Sequence, residues 1–341
     1  MGYLGHVDAY STKGMTGIAA IRETMRQELM RDPLLFLIGE EVGSYGGANG
    51  VSGDLWEQFG DTKVRNTPIS ETAILGCALG AAMTGCPAIA EIMFSDFLAV
   101  CLDQVFNQIT KIRYMSGGQV EVPLVIRAPI GGYIGAAAQH SQCVESWFVH
   151  MPGIKVVVPS TPADAAGLLR AAIRDRNPVI YFEHKALYKM AGNVPTDPDY
   201  MIPIGKAAIV RQGRDVTVVA NSLQLEFTLE AAERLAGKGI QVEVIDPRTL
   251  SPLDEETILD SVAKTHHLVV VHEAWVTGGY GGEIAAIVAD KGFSSLHGPV
   301  KRVGAKQVPI PFSPPLENYV LPEVEDICQA VEECLAKGDK P

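Results

Sequence analysis

"TGIAAIRETMRQELMRDPLLFLIG", residues 16–39, decides the architecture. Ile18, Ile21, Met25 and Leu29 recur at steps of three and four, which places them on one face of a helix. "LLFLIG" (34–39) follows as a short apolar run, the mark of a buried strand. The same step recurs down the chain: a short strand near Val64, a small-residue helix after Ser70, a strand at 88–94 (AIAEIMF), a helix at 97–113, and strands at 122–127 (VPLVIR), 154–158 and 178–182. Buried runs alternating with helices predict an α/β fold with a parallel sheet covered on both faces. "AGNVPTDPDYMIPIGK" (191–206) is rich in Pro, Gly and Asp and has no periodicity, so it reads as a linker. Beyond it "DVTVVANS", "QVEVID" and "HLVVVHEA" are strands separated by helices near 224–237 and 253–265, and Val324, Ile327, Val331 and Cys334 form one stripe of a last helix. The expected organisation is a first domain over 1–190, a linker over 191–208 and a smaller α/β domain over 209–341.

The 341 residues are 47% hydrophobic and 20% charged, as expected of a globular chain large enough for two domains. A formal charge of −12 opposes nucleic-acid or anionic-membrane binding, which needs Lys and Arg to displace counterions. The six cysteines include no CxxC pair and fit a reducing cytoplasm. Residues 1–15 lack the basic start and apolar core of a signal peptide, and no stretch reaches about 18 uninterrupted apolar residues.

Ligands of an open parallel sheet bind outside the carboxyl ends of its strands. The loops to inspect are therefore "GEEVGSYGG" (39–47), "PISE" (68–71), "FSDF" (94–97) and "RAPIGGYIGAAAQHSQ" (127–142). Glu71 stands in the first turn of a helix, where a solvated carboxylate complements the helix dipole. Against that, residues 72–90 are apolar all round, which predicts a helix buried on every side, and a buried acid without Lys or Arg nearby needs a partner from elsewhere. His140 follows a glycine-rich turn and could exchange protons near neutral pH, or be structural at a helix start. Gly131, Gly132 and Gly135 suggest a backbone that something approaches closely. His150, His184, His266, His267 and His272 lack metal-ligand spacing and read as structural. There is no GxGxxG, GxxxxGK[ST], GxSxG or zinc pattern.

"NTPISE", "AEIMFSDFLAVCLDQVFNQITKIRYMSGG", "AAQHSQCVESWFVHMPGIKVVVPSTPADAAGLL", "IRDRNPVIYFEHKALY" and "VIDPRTLSPLD" together resemble the beta subunit of the thiamin-dependent component of 2-oxo acid and acetoin dehydrogenase complexes. The resemblance runs from about residue 16 to about 336. It implies a thiamin-diphosphate-binding (pyrimidine) domain followed by a transketolase C-terminal-like α/β domain. It also implies an alpha subunit that holds the diphosphate through Mg²⁺ and a GDG…N motif, which this chain lacks, in a heterotetramer of two alpha and two beta chains. Glu71 matches the acid that contacts the aminopyrimidine nitrogen, and Phe97 the aromatic packed on that ring, with Ile69 and Met93 nearby. Glu40 matches an acid near the cofactor, and His140 the histidine facing the reacting carbon and the incoming lipoyl group. A potassium ion, where present, would lie among Val122, Leu124, Val125, Ala172, Asp175 and Asn177.

Two residues depart from the pattern, Glu41 where Asp is usual and Pro247 where Leu is usual. The implied activity is cleavage of pyruvate or acetoin and transfer of the acyl group to a lipoyl-bearing acyltransferase. A branched-chain 2-oxo acid enzyme, a non-catalytic binding scaffold and a self-sufficient transketolase-like enzyme are the alternatives.

Overall fold

The computed structural model describes residues 14–338. The expectation that the first 13 residues carry no signal peptide lies outside them, as do the outer ends of the two expected domains. β1 (Met15–Thr16) leads into α1 (Gly17–Arg31), whose first turn is capped by Thr16 Oγ1, the acceptor of the Ala19 N–H at 3.2 Å. Ile21, Met25 and Leu29 of α1 are buried and Ile18 is partly so, hence the apolar stripe is the packed face. β2 (Phe36–Glu40), α2 (Leu55–Lys63), β3 (Val64–Thr67), α3 (Glu71–Met83) and β4 (Ala88–Glu91) follow. Next come α4 (Ile112–Met115), β5 (Leu124–Ile130), α5 (Glu145–Val149), β6 (Lys155–Val157), α6 (Pro162–Ile173), β7 (Val179–His184) and β8 (Ala191–Gly192), which pairs with β1. Residues 193–207 contain no helix or strand.

The second unit holds β9 (Ala208–Arg211), β10 (Val216–Ala220), α7 (Leu223–Ala236), β11 (Val242–Asp246), β12 (Thr249–Ser251), α8 (Glu255–Thr265), β13 (Leu268–Trp275), α9 (Gly281–Lys291), β14 (Lys301–Ala305), α10 (Pro314–Val320) and α11 (Val324–Gly338). Its five-stranded sheet has the order β14-β13-β10-β11-β9, parallel except for β9. The first sheet has seven strands in the order β12-β6-β7-β5-β4-β2-β3. Six of these come from the first unit and are parallel, and β12 joins the edge antiparallel to β6. One apolar cluster runs across both units, joining Phe182 and Val158 to Val219, Ile245 and Val262.

Two expectations need correction. The continuous helix expected at 97–113 is broken into a 3₁₀ turn (Ser95–Ala99), a π-helical turn (Gln104–Ile109) and α4. The side chains of Ser95 and Asp96 are committed to Gln142, and the Thr110 N–H reaches back five residues to Val105 O. The second correction concerns α3, which is not buried on every side. Glu71, Ile74, Leu75, Ala78, Leu79 and Ala82 face inward, while Thr72, Ala73, Cys77, Gly80 and Met83 are exposed. Small and apolar side chains on both faces explain why the sequence alone did not reveal the open one.

The middle of the first sheet holds a charge triad. Arg127 of β5 is fully buried between Glu91 of β4, 2.6 Å from Nη1, and Glu183 of β7, 2.8 Å from Nη2. Tyr188 O–H donates to Glu183 at 3.0 Å, so both acids have partners inside the sheet.

Candidate active site

The carboxyl ends of β2, β3 and β4 and the loop after β5 converge as the parallel topology requires. Glu40 ends β2, and its Oε1 accepts the Ser70 N–H at 3.3 Å. Glu71 opens α3 with only 8% of its surface exposed, and among the described residues no protein donor reaches its carboxyl. Burial, then the charge of Glu71 and that of Glu41, raise the pKa of Glu40 above the ordinary carboxylate value, against the Ser70 amide, which lowers it. Burial, followed by Glu71 and Glu40, pushes the neighbouring Cys101 thiol up to about 12. Two acids thus stand close together, and no Lys or Arg of the described residues hydrogen-bonds either one.

Beyond β4, Phe94, Phe97 and His140 form an edge-to-face trio. Ring centroids lie 4.7 Å apart for Phe94 and His140, 5.4 Å for Phe97 and His140, and 5.6 Å for the two phenylalanines. His140 sits in an irregular turn rather than at a helix start. Gln142 holds that turn: its Nε2 donates to Asp96 Oδ1 at 2.8 Å, and its carbonyl accepts the Ser95 hydroxyl at 2.9 Å. Asp96 Oδ2 is buried without a partner. The α3 helix meets the same segment where Thr72 Oγ1 donates to Val100 O at 3.1 Å. Ile69 stands 83% exposed beside Glu71, and Met93 and Phe97 are half-buried. Glu40, Ile69, Glu71, Met93, Phe97 and His140 therefore lie on the loops at one end of the sheet.

The six residues of the potassium set lie elsewhere. Val122 just precedes β5, Leu124 and Val125 begin it, Ala172 is in the last turn of α6, and Asp175 and Asn177 are on the turn before β7, with the Val122 N–H on Arg176 O at 3.1 Å. The Asp175 carboxylate is already engaged by the Lys155 ammonium, and its Oδ1 accepts the Asn177 N–H and side-chain amide, each at 2.9 Å. These contacts outweigh burial and lower its pKa. A cleft of about 970 Å³ opens at this end, lined by Arg31, Glu121, Asp175 and Arg176, far from the acids at the strands' carboxyl ends. Among the described residues no group of three or more His, Cys, Asp or Glu side chains is placed to hold a metal ion.

The second unit contributes groups that local sequence did not reveal. Glu273 of β13 accepts the Gly132 N–H and an N–H of the His184 ring, both at 2.6 Å, and Glu317 of α10 accepts the Gly135 N–H at 3.0 Å. Lys185 is buried beside Phe94, its ammonium 5.5 Å from the ring centroid and without a hydrogen-bond partner. Burial lowers its pKa to about 8, partly offset by Cys143, Asp96, Glu273 and Glu317. Burial likewise raises Glu145 to about 7. The signals for Glu273 and Glu317 are spatial: their partners lie 141 and 182 residues away.

Comparison with known families places both units. The transketolase pyrimidine-binding domain family matches residues 13–191, and the transketolase C-terminal domain family matches residues 205–327. The beta subunit of Bacillus subtilis acetoin:2,6-dichlorophenolindophenol oxidoreductase is 47% identical over 330 residues, covering 93% of this chain and 96% of that one. The mitochondrial pyruvate dehydrogenase E1 beta subunit of Drosophila melanogaster is 45% identical, covering 94% and 89%, and the 2-oxoisovalerate dehydrogenase beta subunit of Bacillus subtilis is 43% identical, covering 94% and 98%. A solved split-gene transketolase, described as an inactive beta4 tetramer, superposes with a TM-score of 0.76 at 24% identity over 95% of this chain and 99% of that one, which establishes the shared fold. With both transketolase-type domains present in order and relatives of this identity along nearly its whole length, the chain belongs to the family of beta subunits of thiamin-diphosphate-dependent 2-oxo acid and acetoin dehydrogenases.

Proposed function

We propose that this beta subunit joins an alpha subunit, two of each, to cleave pyruvate or acetoin and pass the acyl group to a lipoyl-bearing acyltransferase. The observation that carries the reading is Glu71: a buried acid beside a second acid, with no donor of this chain among the described residues and an exposed apolar rim. A protonated ring nitrogen satisfies such a carboxyl, and Ile69, Met93 and Phe97 offer an apolar seat to the ring around it. The acids and this rim fit the aminopyrimidine half of thiamin diphosphate. On this reading the diphosphate and Mg²⁺ belong to the alpha subunit, in keeping with the lack, among the described residues, of three or more His, Cys, Asp or Glu side chains placed to hold a metal ion. The open Thr72, Ala73, Cys77, Gly80 and Met83 face of α3 supports a chain interface beside the site.

When bound, thiamin diphosphate supplies the nucleophilic carbon and the electron sink. This chain's share is positional and protonic. Glu71 would hydrogen-bond the ring nitrogen and so favour one ring tautomer. Glu40, whose pKa is raised by burial and by the charge of Glu71, stands beside it and caps the turn that carries it. His140, braced by Phe94 and Phe97, gives or takes a proton at the reacting carbon and faces the arriving lipoyl group.

A potassium site stands on main-chain carbonyls around Val122, Leu124, Val125, Ala172, Asp175 and Asn177, because the Asp175 side chain is already neutralised by Lys155. Melting the chain in KCl against NaCl tests it, a higher Tm in KCl being the expected result. Location in a cytoplasm is supported by six free cysteines and by the absence, among the described residues, of a helix long and apolar enough to cross a membrane.

Co-expression with the alpha subunit, followed by dye reduction with pyruvate, acetoin and branched 2-oxo acids, tests the whole reading. Turnover restricted to branched substrates moves the protein to the branched-chain class. Wild-type turnover by Glu71→Ala would leave it a non-catalytic scaffold. Turnover by the beta chain alone would make it self-sufficient.

A further inference from the structure

The loop from Gly131 to Gln142 carries His140, and its two ends are held by different parts of the molecule. Its far end is tied to the first unit through Gln142, Ser95 and Asp96. Its near end is seated on the second unit. Gly131, Tyr133 and Gly135 have φ of +91°, +62° and +68°, while Gly132 and Ile134 between them do not enter the left-handed region. This alternation turns successive N–H groups to one side and makes a backbone nest, a concavity that binds anions. The carboxyl seated there is Glu317, which accepts the Gly135 N–H at 3.0 Å and is favoured in its charged form by the neighbouring Tyr133 and Ile134 amides, against burial, which raises its pKa. A left-handed Tyr133 is a strained conformation, and it is retained because its ring O–H donates to Pro322 O at 2.5 Å and accepts Gln224 Nε2–H at 2.8 Å.

Glu273 completes the seat. Its Oε1 accepts the Gly132 N–H, and its Oε2 accepts the Nε2–H of His184, whose Nδ1 accepts the Ala186 N–H. Space is as tight as the charge is matched. A Cβ on Gly131 would stand 2.0 Å from His184 Nε2, and one on Gly132 would stand 2.6 Å from Leu321 Cδ1 and 3.2 Å from Glu317 Oε1. Between Gly135 and His140 no side chain pins the loop among the described residues, and the remaining tie there is the weak His140 N–H to Ala137 O bond at 3.4 Å. Phe94 and Phe97 brace the imidazole ring, and the two anchored ends set where the backbone that carries it stands.

We propose that Glu317 and Glu273 are positioning residues: two carboxylates of the C-terminal domain seat the 131–135 nest and so aim His140 at the reacting carbon. The inference rests on the reading of His140 given above. It makes the C-terminal domain part of the active-site machinery without touching cofactor or substrate.

The test uses the alpha–beta complex with Glu317→Ala, Glu317→Gln and Glu273→Gln. Hydrogen exchange of the 131–143 peptide is expected to quicken at least about tenfold in Glu317→Ala, with residues 124–130 unchanged, because an anchored amide exchanges only after local opening. The kcat for acyl transfer is expected to fall about 10- to 100-fold, as for a misplacement near 1 Å. The KM for thiamin diphosphate should stay within about twofold, since Glu71, Ile69 and Phe97 are untouched, and Glu317→Gln, which keeps one acceptor, should recover part of the loss. The double variant His140→Ala with Glu317→Ala should be no slower than His140→Ala alone, as for residues acting as one unit. Unchanged exchange in both Glu317→Ala and Glu273→Gln, or multiplicative losses in the double variant, overturns the proposal. Wild-type turnover in His140→Ala overturns the reading of His140 instead, and exchange then still reports the seat. Melting curves of each variant separate unfolding from mispositioning, and Glu273→Gln carries the test if Glu317→Ala fails to fold.

Discussion

Glu40 reaches across from the end of β2 to the Ser70 N–H at 3.3 Å, and so caps the turn from which Glu71 enters the pocket. Among the described residues no Lys or Arg is hydrogen-bonded to either acid. Burial and the charge of Glu71 raise the pKa of Glu40, a tension that a bound partner rather than the fold would relieve.

Glu71→Gln should accordingly separate stability from function. Its carboxyl accepts no hydrogen bond from the described residues, so losing the charge removes repulsion and breaks no fold contact. The expected outcome is an unchanged or higher Tm in the free chain, with turnover of the complex reduced about 10²- to 10⁴-fold, the range for a lost acid–base group. A lower Tm with full turnover would contradict it.

The Arg127 triad is expected to behave oppositely. Arg127→Met leaves Glu91 and Glu183 buried without their counter-charge and should cost about 3–5 kcal/mol in urea unfolding. Adding Glu91→Gln and Glu183→Gln to Arg127→Met should recover part of that loss. A single variant within about 0.5 kcal/mol of the parent would show that water enters the sheet.

Lys185 offers a pH-resolved test. Burial depresses its pKa from 10.5 to about 8. A depressed lysine makes the fold most stable above its unfolded value, and that stability is lost as pH falls from about 10.5 through about 8. At pH 7 the charged form thus costs about 3 kcal/mol. Lys185→Met should raise stability at pH 7 by up to that amount, and the gain should vanish near pH 10.5. A gain independent of pH would point to packing instead.

The open face of α3 can be probed through Cys77. In the isolated chain Cys77 is exposed, whereas Cys101, Cys143, Cys328 and Cys334 are buried. A maleimide should label Cys77 first, and adding the alpha subunit should protect it at least about tenfold if that face becomes an interface. Equal labelling with and without alpha would remove α3 from the interface.

Much of the architecture was readable because the signals are local. The stripe of Ile21, Met25 and Leu29 and the apolar run at 34–39 each report their own few residues, and the helix–strand order follows from them. Glu71 was legible as an acid heading an apolar helix, but the open face of that helix was not, since small residues suit either a core or an interface. The break in the 95–115 segment was hidden because the Ser95 and Asp96 side chains are committed to Gln142, 47 and 46 residues away. Glu273 and Glu317 looked like ordinary acids in a strand and a short helix. Their meaning lies in glycine amides more than 140 residues upstream.

β12 has a practical corollary for anyone dividing this protein. The three residues Thr249–Ser251 close the β6 border of the first sheet although they come long after the 193–207 crossing. A fragment ending near residue 200 would leave the border of Lys155–Val157 as a bare template for another chain, a recognised route to edge-to-edge aggregation. A fragment starting near 208 would carry a stray strand with no sheet to join. The two family-sized pieces are therefore interlocked, and the chain is best produced and refolded whole.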